Sequence, residues 1–231
     1  MTKSVIVAIL AILFFTGCFQ TSRISLPNQG DLTSSSQTSE DLWQKEQTPK
    51  IEESKQQISK NAITILTPKC DDGDMAACND TGANYEFLKN YENAFKFYEI
   101  ACNGGVELGC ANLGQLYENG IGIKKDPKKA VEIYKTSCNK GGRHSCYHLG
   151  NAYRRGDIVA QDYEMAMSAY TNACEAGDVP SCANIGAMYE LGLGIEKDEV
   201  RAYKIYTVAC YRGLNKACPQ KERLGKKLGL E

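Results

Sequence analysis

The stretch CNKGGRHSC, Cys138 to Cys146, sets two cysteines eight positions apart around a glycine pair. The same spacing returns at Cys70/Cys78, Cys102/Cys110, Cys174/Cys182 and Cys210/Cys218, and the first members of successive pairs stand 32, 36, 36 and 36 residues apart. A period of this length marks a supersecondary unit stacked on copies of itself, because one such unit cannot bury its apolar face alone. The copies can therefore be compared column by column.

Counted from the second cysteine of a pair, Thr81, Leu113, Leu149 and Ile185 stand at offset 3. Gly82, Gly114, Gly150 and Gly186 follow at offset 4, and Tyr85, Tyr117, Tyr153 and Tyr189 at offset 7. Offsets 0, 3, 4 and 7 describe one face of a helix, here helix A. Glycine inside a helix costs about 1 kcal/mol relative to alanine, so its return in every unit predicts the close approach of another backbone. Helix B is read from Ala94, Phe97, Tyr98 and Cys102, with the same period at Ala130, Ile133, Tyr134 and Cys138. It recurs at Ala166, Ala169, Tyr170 and Cys174, and at Ala202, Ile205, Tyr206 and Cys210. Between the helices, Gly120-Ile121-Gly122-Ile123 leads to Asp126-Pro127, an N-cap aspartate with proline at the first helical position. Asp162 and Asp198 recur there; the first unit lacks four residues of this loop, and the third reads Gly156-Asp157-Ile158-Val159, without the second glycine.

In this grammar the first cysteine of a pair closes helix B and the second opens the next helix A. A glycine three residues after the first (Gly73, Gly105, Gly141, Gly177, Gly213) stops helix B. A helical hairpin brings those two ends together, which predicts five local disulfides: Cys70–Cys78, Cys102–Cys110, Cys138–Cys146, Cys174–Cys182 and Cys210–Cys218. Each should stabilise by roughly 2–3 kcal/mol on the chain-entropy model. Structural zinc is the competing use of paired cysteines, but metal-binding pairs usually sit two to four residues apart. Eleven cysteines in 231 residues also argue against the reducing cytosol.

The N-terminus points the same way. MTKSVIVAILAILFFTGCFQ carries Lys3, then an apolar run from Val5 to Phe15, then Thr16-Gly17-Cys18. The run is shorter than the about 20 residues of a spanning helix and reads as a secretory signal, with an uncleaved signal anchor as the alternative. Its ending resembles a bacterial lipobox, although Phe15 stands where an aliphatic residue is usual. That resemblance implies cleavage before Cys18 and lipidation of that cysteine. With Phe19 rather than aspartate next, it implies an outer-membrane lipoprotein facing the periplasm or the cell surface, or a secreted protein if Cys18 is not lipidated.

We therefore expect a signal peptide at 1–17 and a disordered tether over 18–58, a stretch with little apolar surface to offset its ordering entropy. A repeat solenoid should fill 59–218 and a C-terminal capping helix 219–231. Ala62, Ile65 and Leu66 match helix B columns before Cys70, so a half-repeat opens the stack. After Cys218, Lys221, Glu222 and Gly225 take the columns of the aliphatic residue, glycine and tyrosine, the polar outer face that a terminal unit needs. The formal charge of −1 falls to −2 when Lys3 is cleaved away, leaving no basic footprint for nucleic acid.

The pattern L-G-x-x-Y-x-x-G-x-G-[IV]-x-x-D-x-x-x-A-x-x-x-Y runs whole from Leu113 to Tyr134, and from Ile185 to Tyr206 with isoleucine first. It resembles the Sel1-like repeat, and the cysteine pairs resemble the Helicobacter cysteine-rich branch of that family. The resemblance covers about residues 60–220. It implies an all-α fold, a right-handed α/α superhelical solenoid related to tetratricopeptide arrays and here braced by disulfides.

In a solenoid of this kind the helix A face opposite the core lines the concave groove. Offset 2 supplies Asp80, Asn112, His148 and Asn184; offset 5 supplies Ala83, Gln115, Asn151 and Ala187. Offset 6 supplies Asn84, Leu116, Ala152 and Met188; offset 9 supplies Phe87, Asn119, Arg155 and Leu191. The expected groove is amide-rich, with an apolar lining and one cationic spot. Its binding residues would be Asp80, Asn84, Asn112, Gln115, Asn119, His148, Asn151, Arg155 and Asn184. Carboxamides both donate and accept, which suits an extended peptide, a peptidoglycan fragment or a protein partner. A merely solvated helix face is the alternative.

No cofactor is expected. His144 and His148 lie one turn apart, but two ligands fall short of the three or four a metal site uses. The cysteine-rich relatives imply a further possibility, β-lactam binding or weak β-lactamase activity. Ser137-Cys138-Asn139-Lys140 matches Ser-x-x-Lys in letters, yet the same serine would also have to supply Ser-x-Asn, and Lys135-Thr136-Ser137 only approximates Lys-Thr-Gly. It also sits at the end of helix B, where the helix dipole opposes a developing oxyanion.

Overall fold

A computed structural model describes residues 39–230 of the chain, with side chains from residue 48 onward. The signal segment at 1–17, Cys18 and the tether up to residue 38 lie outside the described residues. The chain divides into two units, Met1–Gln44 and Lys45–Glu231, and the account below concerns the second.

The described residues form α-helices and one 3₁₀ turn, with no strand among them. Helix α1 (Ser39–Asp71) is followed by four helical hairpins: α2 (Met75–Phe87) with α3 (Tyr91–Asn103), and α4 (Glu107–Asn119) with α5 (Pro127–Asn139). Then come α6 (Arg143–Arg155) with α7 (Tyr163–Glu175), and α8 (Val179–Leu191) with α9 (Glu199–Tyr211). The 3₁₀ turn Asn215–Ala217 leads into α10 (Cys218–Leu228). The even-numbered helices α2 to α8 are helices A and the odd-numbered α3 to α9 are helices B. Each of these eight is 13 residues long. Helix A packs on its own helix B, which packs in turn on the next helix A.

The starts and stops follow local chemistry. The carboxylates of Asp126, Asp162 and Asp198 accept hydrogen bonds from the amides of Lys129, Met165 and Arg201 at 2.8–3.0 Å, as N-caps do. Gly141, at φ +88°, ends α5 with nothing within 4 Å of where a side chain would stand. That glycine is required by its left-handed backbone and not by crowding. The first cysteine of each pair is the penultimate residue of its helix; in the first four pairs the second lies one turn inside helix A, as Cys78 does in α2, and does not open it, whereas Cys218 is the first residue of α10. All five eight-residue pairs are closed as disulfides, with Cα–Cα distances of 4.4–4.9 Å.

The core is a column of small residues and tyrosines. Ala94, Ala130, Ala166 and Ala202 are fully buried, and Tyr98, Tyr134, Tyr170 and Tyr206 are at most 5% exposed. Each tyrosine ring lies across the offset-4 glycine of its own hairpin. A Cβ on Gly82 or Gly150 would stand 2.7 Å from the ring of Tyr98 or Tyr170. The expected backbone approach is thus corrected: an aromatic face, not a main chain, fills the space that glycine leaves. In the loops, Gly122 and Gly194 back onto Tyr91 and Tyr163, the first residues of the preceding helices B. The third unit, without that glycine, packs Ile158 and Val159 beside the cluster of Ala130 and Val131.

Two boundaries differ from expectation. Helix α1 reaches back to Ser39, into the stretch expected as tether to residue 58, and continues through Pro49 and Pro68. Its residues 48–58 are all exposed, so this part is helical through its Glu, Lys and Gln content and not through burial. At the other end the capping helix begins at Cys218, buries Leu224, and is tied back by Arg223 to Glu190 and by Lys227 to Glu199. Hydrogen bonds from Lys197 and Lys227 hold the Glu199 carboxyl down to about 2.

Two glycine substitutions separate crowding from conformation. Gly150→Ala should cost about 1–3 kcal/mol, because the methyl group overpacks Tyr170. Gly141→Asn should cost under about 1 kcal/mol, because asparagine tolerates the left-handed region. Urea unfolding of the oxidised variants checks both; equal, negligible losses would contradict the ring-on-glycine packing.

Candidate functional site

The helix A face is the candidate site, and its depth differs from the sequence expectation. Asp80, Asn119 and Arg155 are exposed, while Asn84, Asn112, Gln115, His148, Asn151 and Asn184 are half-buried. The offset-6 residues Leu116, Ala152 and Met188 are at most 1% exposed, so they belong to the core and do not line a groove. Each packs toward the helix B of the unit before it. Leu116 sits with Ala94 and Tyr98, Ala152 with Ala130 and Tyr134, and Met188 with Ala166 and Tyr170. The offset-6 part of the expected apolar lining is therefore withdrawn into the interior, while Phe87 and Leu191 at offset 9 stay exposed beside the amides and charges.

Several of those amides are already engaged. Asn112 donates across units to Asn79 at 3.1 Å, and Asn79 donates to Asp80 at 3.2 Å. Asn84 and Asn119 donate back to the carbonyls of Asp80 and Gln115, one turn earlier on their own helices. Their side-chain oxygens remain available as acceptors. Neither Gln115 nor Asn184 has a side-chain hydrogen bond among the described residues.

Beside this face runs a second array, which the sequence expectation missed. The tyrosines of helix B emerge at offset 8 of helix A: Tyr98 donates to Glu86 at 2.6 Å, Tyr134 to Glu118 at 2.9 Å, and Tyr206 to Glu190 at 3.2 Å. Burial, then the adjoining carboxylate, pushes all three phenols well above their usual range, so their hydroxyls stay protonated and donate. The third unit inverts the arrangement. Arg154 stands at offset 8, its Nε donates to the Tyr170 hydroxyl at 3.2 Å, and that hydroxyl donates to Asn151 at 2.7 Å. Arg155 crosses to Glu118 of the preceding unit at 2.6 Å and also pairs with Asp157. The signal was present in the repeat columns as Glu86, Glu118, Arg154 and Glu190, but helix periodicity alone gives no partner for them.

The two histidines have different partners. His144 Nδ1 lies 2.8 Å from Glu107, which also accepts the amide of Ser145 and so caps the start of α6. His148 instead stacks on Tyr134, ring centroids 5.0 Å apart and planes within 16°. Burial lowers its pKa, with Glu118 acting in the opposite direction. Ser137 and Lys140 both line a crevice of about 370 Å³ beside the Cys102–Cys110 bridge. Ser137 is only 6% exposed and lies in the last turn of α5, where its own carbonyl accepts the amides of Lys140 and Gly142. Carbonyl groups face outward at such an end, the wrong polarity for holding an oxyanion.

Stacked helical hairpins, each junction closed by its own disulfide and each helix A turning an amide-bearing face outward, define a tandem-repeat solenoid. The chain belongs to the Sel1 repeat family, whose model matches residues 74–106, 108–142, 143–178 and 179–214. It is similar to the crystal structure of a Sel1 repeat protein from Oxalobacter formigenes at 28% identity, over 62% of this chain and 60% of that one, with a TM-score of 0.58. It is also similar to c5321, a protective antigen present in uropathogenic Escherichia coli strains, at 25% identity over 65% of this chain and 41% of that one, with a TM-score of 0.51. A stretch of 37 residues is 49% identical to the Helicobacter pylori protein "Putative beta-lactamase HcpE", covering 16% of this chain and 10% of that protein. The chain thus spans less than two thirds of each of these relatives.

The stacked His148 gives a pH test. Its folded pKa lies below the unfolded value of about 6.5, so the unfolded chain binds the proton more readily and stability falls as pH drops below about 6.5. Melting temperature should fall less between pH 7 and pH 5.5 in His148→Phe than in the wild type. Parallel declines would remove His148 as a source of acid sensitivity.

Proposed function

We propose that the chain is an exported binding scaffold, held to a membrane through Cys18 and taking a peptide, a peptidoglycan fragment or a protein partner along its helix A face. Five disulfides suit a chain matured outside the reducing cytosol. The observation that carries the reading is a set of side-chain amides distributed along the helix A face, with Gln115 and Asn151 at equivalent positions of successive units, on helices whose spacing the bridges hold. Gln115 and Asn184 keep their full donor and acceptor capacity for a ligand, and Asn84 and Asn119 keep acceptors. Asp80 and Arg155 place opposite charges on the same face.

Similarity to HcpE over 37 residues carries the second reading, β-lactam binding or hydrolysis. The position of Ser137 at a helix C-terminus weighs against it as a nucleophile.

Two measurements on the oxidised protein separate the readings. Binding of soluble muropeptides should weaken at least fivefold in Gln115→Ala with Asn119→Ala, while circular dichroism stays unchanged. Hydrolysis of a chromogenic cephalosporin that is lost in Ser137→Ala would instead establish the enzyme.

A further inference from the structure

Two crevices lie on the helix B side of the repeats, in the same register and two units apart. The first is the one over Cys102–Cys110, bordered by Lys129, Glu132, Thr136 and Lys140. The second, of about 310 Å³, lies over Cys174–Cys182, and its matching positions are Arg201, Lys204, Val208 and Arg212. The repeat therefore supplies an internal comparison. Both crevices keep a cation at each end, but Glu132 is replaced by Lys204 and Thr136 by Val208. Glu107 and Ser137 also line the first crevice, and no acid lines the second.

The result is an apolar floor of Ile185, Ile205, Val208 and the disulfide, bracketed by three cations. Among the described residues none of the three cations has an ion pair. Arg201 lies 4.5 Å over the ring of Tyr189, a contact to its face that leaves the guanidinium edge free to donate. Val208 is 56% exposed and its neighbour Tyr211 93%, so the floor continues into an uncovered apolar surface.

We propose that this crevice docks an acidic peptide segment carrying an aliphatic side chain between two carboxylates. Charge complementarity and spacing select that occupant. Arg201 and Arg212 are eleven positions apart, about 16 Å along a helix axis; the first and fifth residues of an extended pentapeptide stand about 13 Å apart, and long side chains at both ends span the rest. In such a chain the first, third and fifth side chains share one face. The outer two meet the arginines, the central one enters between Ile205 and Val208, and Lys204 adds a third attraction. The site is separate from the helix A face, so either can fail without the other.

The probe is a fluorescein-labelled, C-terminally amidated pentapeptide with glutamate first and fifth, leucine third and serine elsewhere. Anisotropy with the full oxidised protein at low ionic strength should show saturable binding. Lys204→Glu with Val208→Thr, which copies the first crevice at two exposed positions, should weaken it at least tenfold with the circular dichroism spectrum unchanged. Serine in place of the peptide leucine should weaken it at least fivefold. Glu132→Lys with Thr136→Val should add a second site. Absent saturation, binding indifferent to the Lys204 and Val208 changes, or equal binding of the serine peptide would overturn the proposal. So would concentration-dependent dimerisation that blocks the peptide, or phosphatidylglycerol vesicles that outcompete it.

Discussion

The junction between one helix B and the next helix A is the point on which the rest of the structure depends. Helices of 13 residues are marginal in water by themselves, and the side chains between them are mostly alanine, glycine and tyrosine. At each junction a sulfur bridge holds two backbones 4.4–4.9 Å apart at their Cα atoms, across a turn that contains one left-handed glycine. The unfolded chain loses freedom at five places, while the folded chain gains five fixed corners without needing bulky side chains there. Because every bridge is local, each unit contacts chiefly its neighbours, and the array grows by addition.

Within a hairpin the complementary device is the tyrosine laid over glycine. The ring fills the volume that a missing side chain leaves, and its hydroxyl reaches the rim of helix A. There it meets Glu86, Glu118 or Glu190, so one residue packs the core and anchors the charge pattern of the surface. The third unit keeps the ring and reverses the charge, with Arg154 where its neighbours hold glutamate. Arg155 beside it ties that unit to Glu118 of the unit before. Repetition fixes the geometry, and departures from repetition individualise the surface. The two crevices on the helix B side differ by the same logic, through Glu132 against Lys204 and Thr136 against Val208.

Much of this was legible because it is written locally. The eight-residue cysteine spacing, the aspartate caps and the glycine stops all act within one turn of chain, and the structure places them where the columns predict. What escaped depends on neighbours in space. Periodicity marks one face of helix A as core, but Leu116, Ala152 and Met188 are buried because a second partner, the preceding helix B, covers them as well. The repeated glycine announces a close approach without saying that a ring makes it, and the column of Glu86, Glu118, Arg154 and Glu190 shows no purpose until Tyr98, Tyr134, Tyr170 and Tyr206 are seen beside it. Helix α1 starts earlier than its composition suggested, since exposed Glu, Lys and Gln can sustain a helical stretch, as over residues 48–58, that buries none of its side chains.

The most direct test of the account is to map the sulfur linkages in protein exported by its native route, by mass spectrometry of fragments cleaved without reduction. Five crosslinks, each joining cysteines eight positions apart, are the result the account predicts. Crosslinks between different junctions, or free thiols at these ten cysteines, would contradict it.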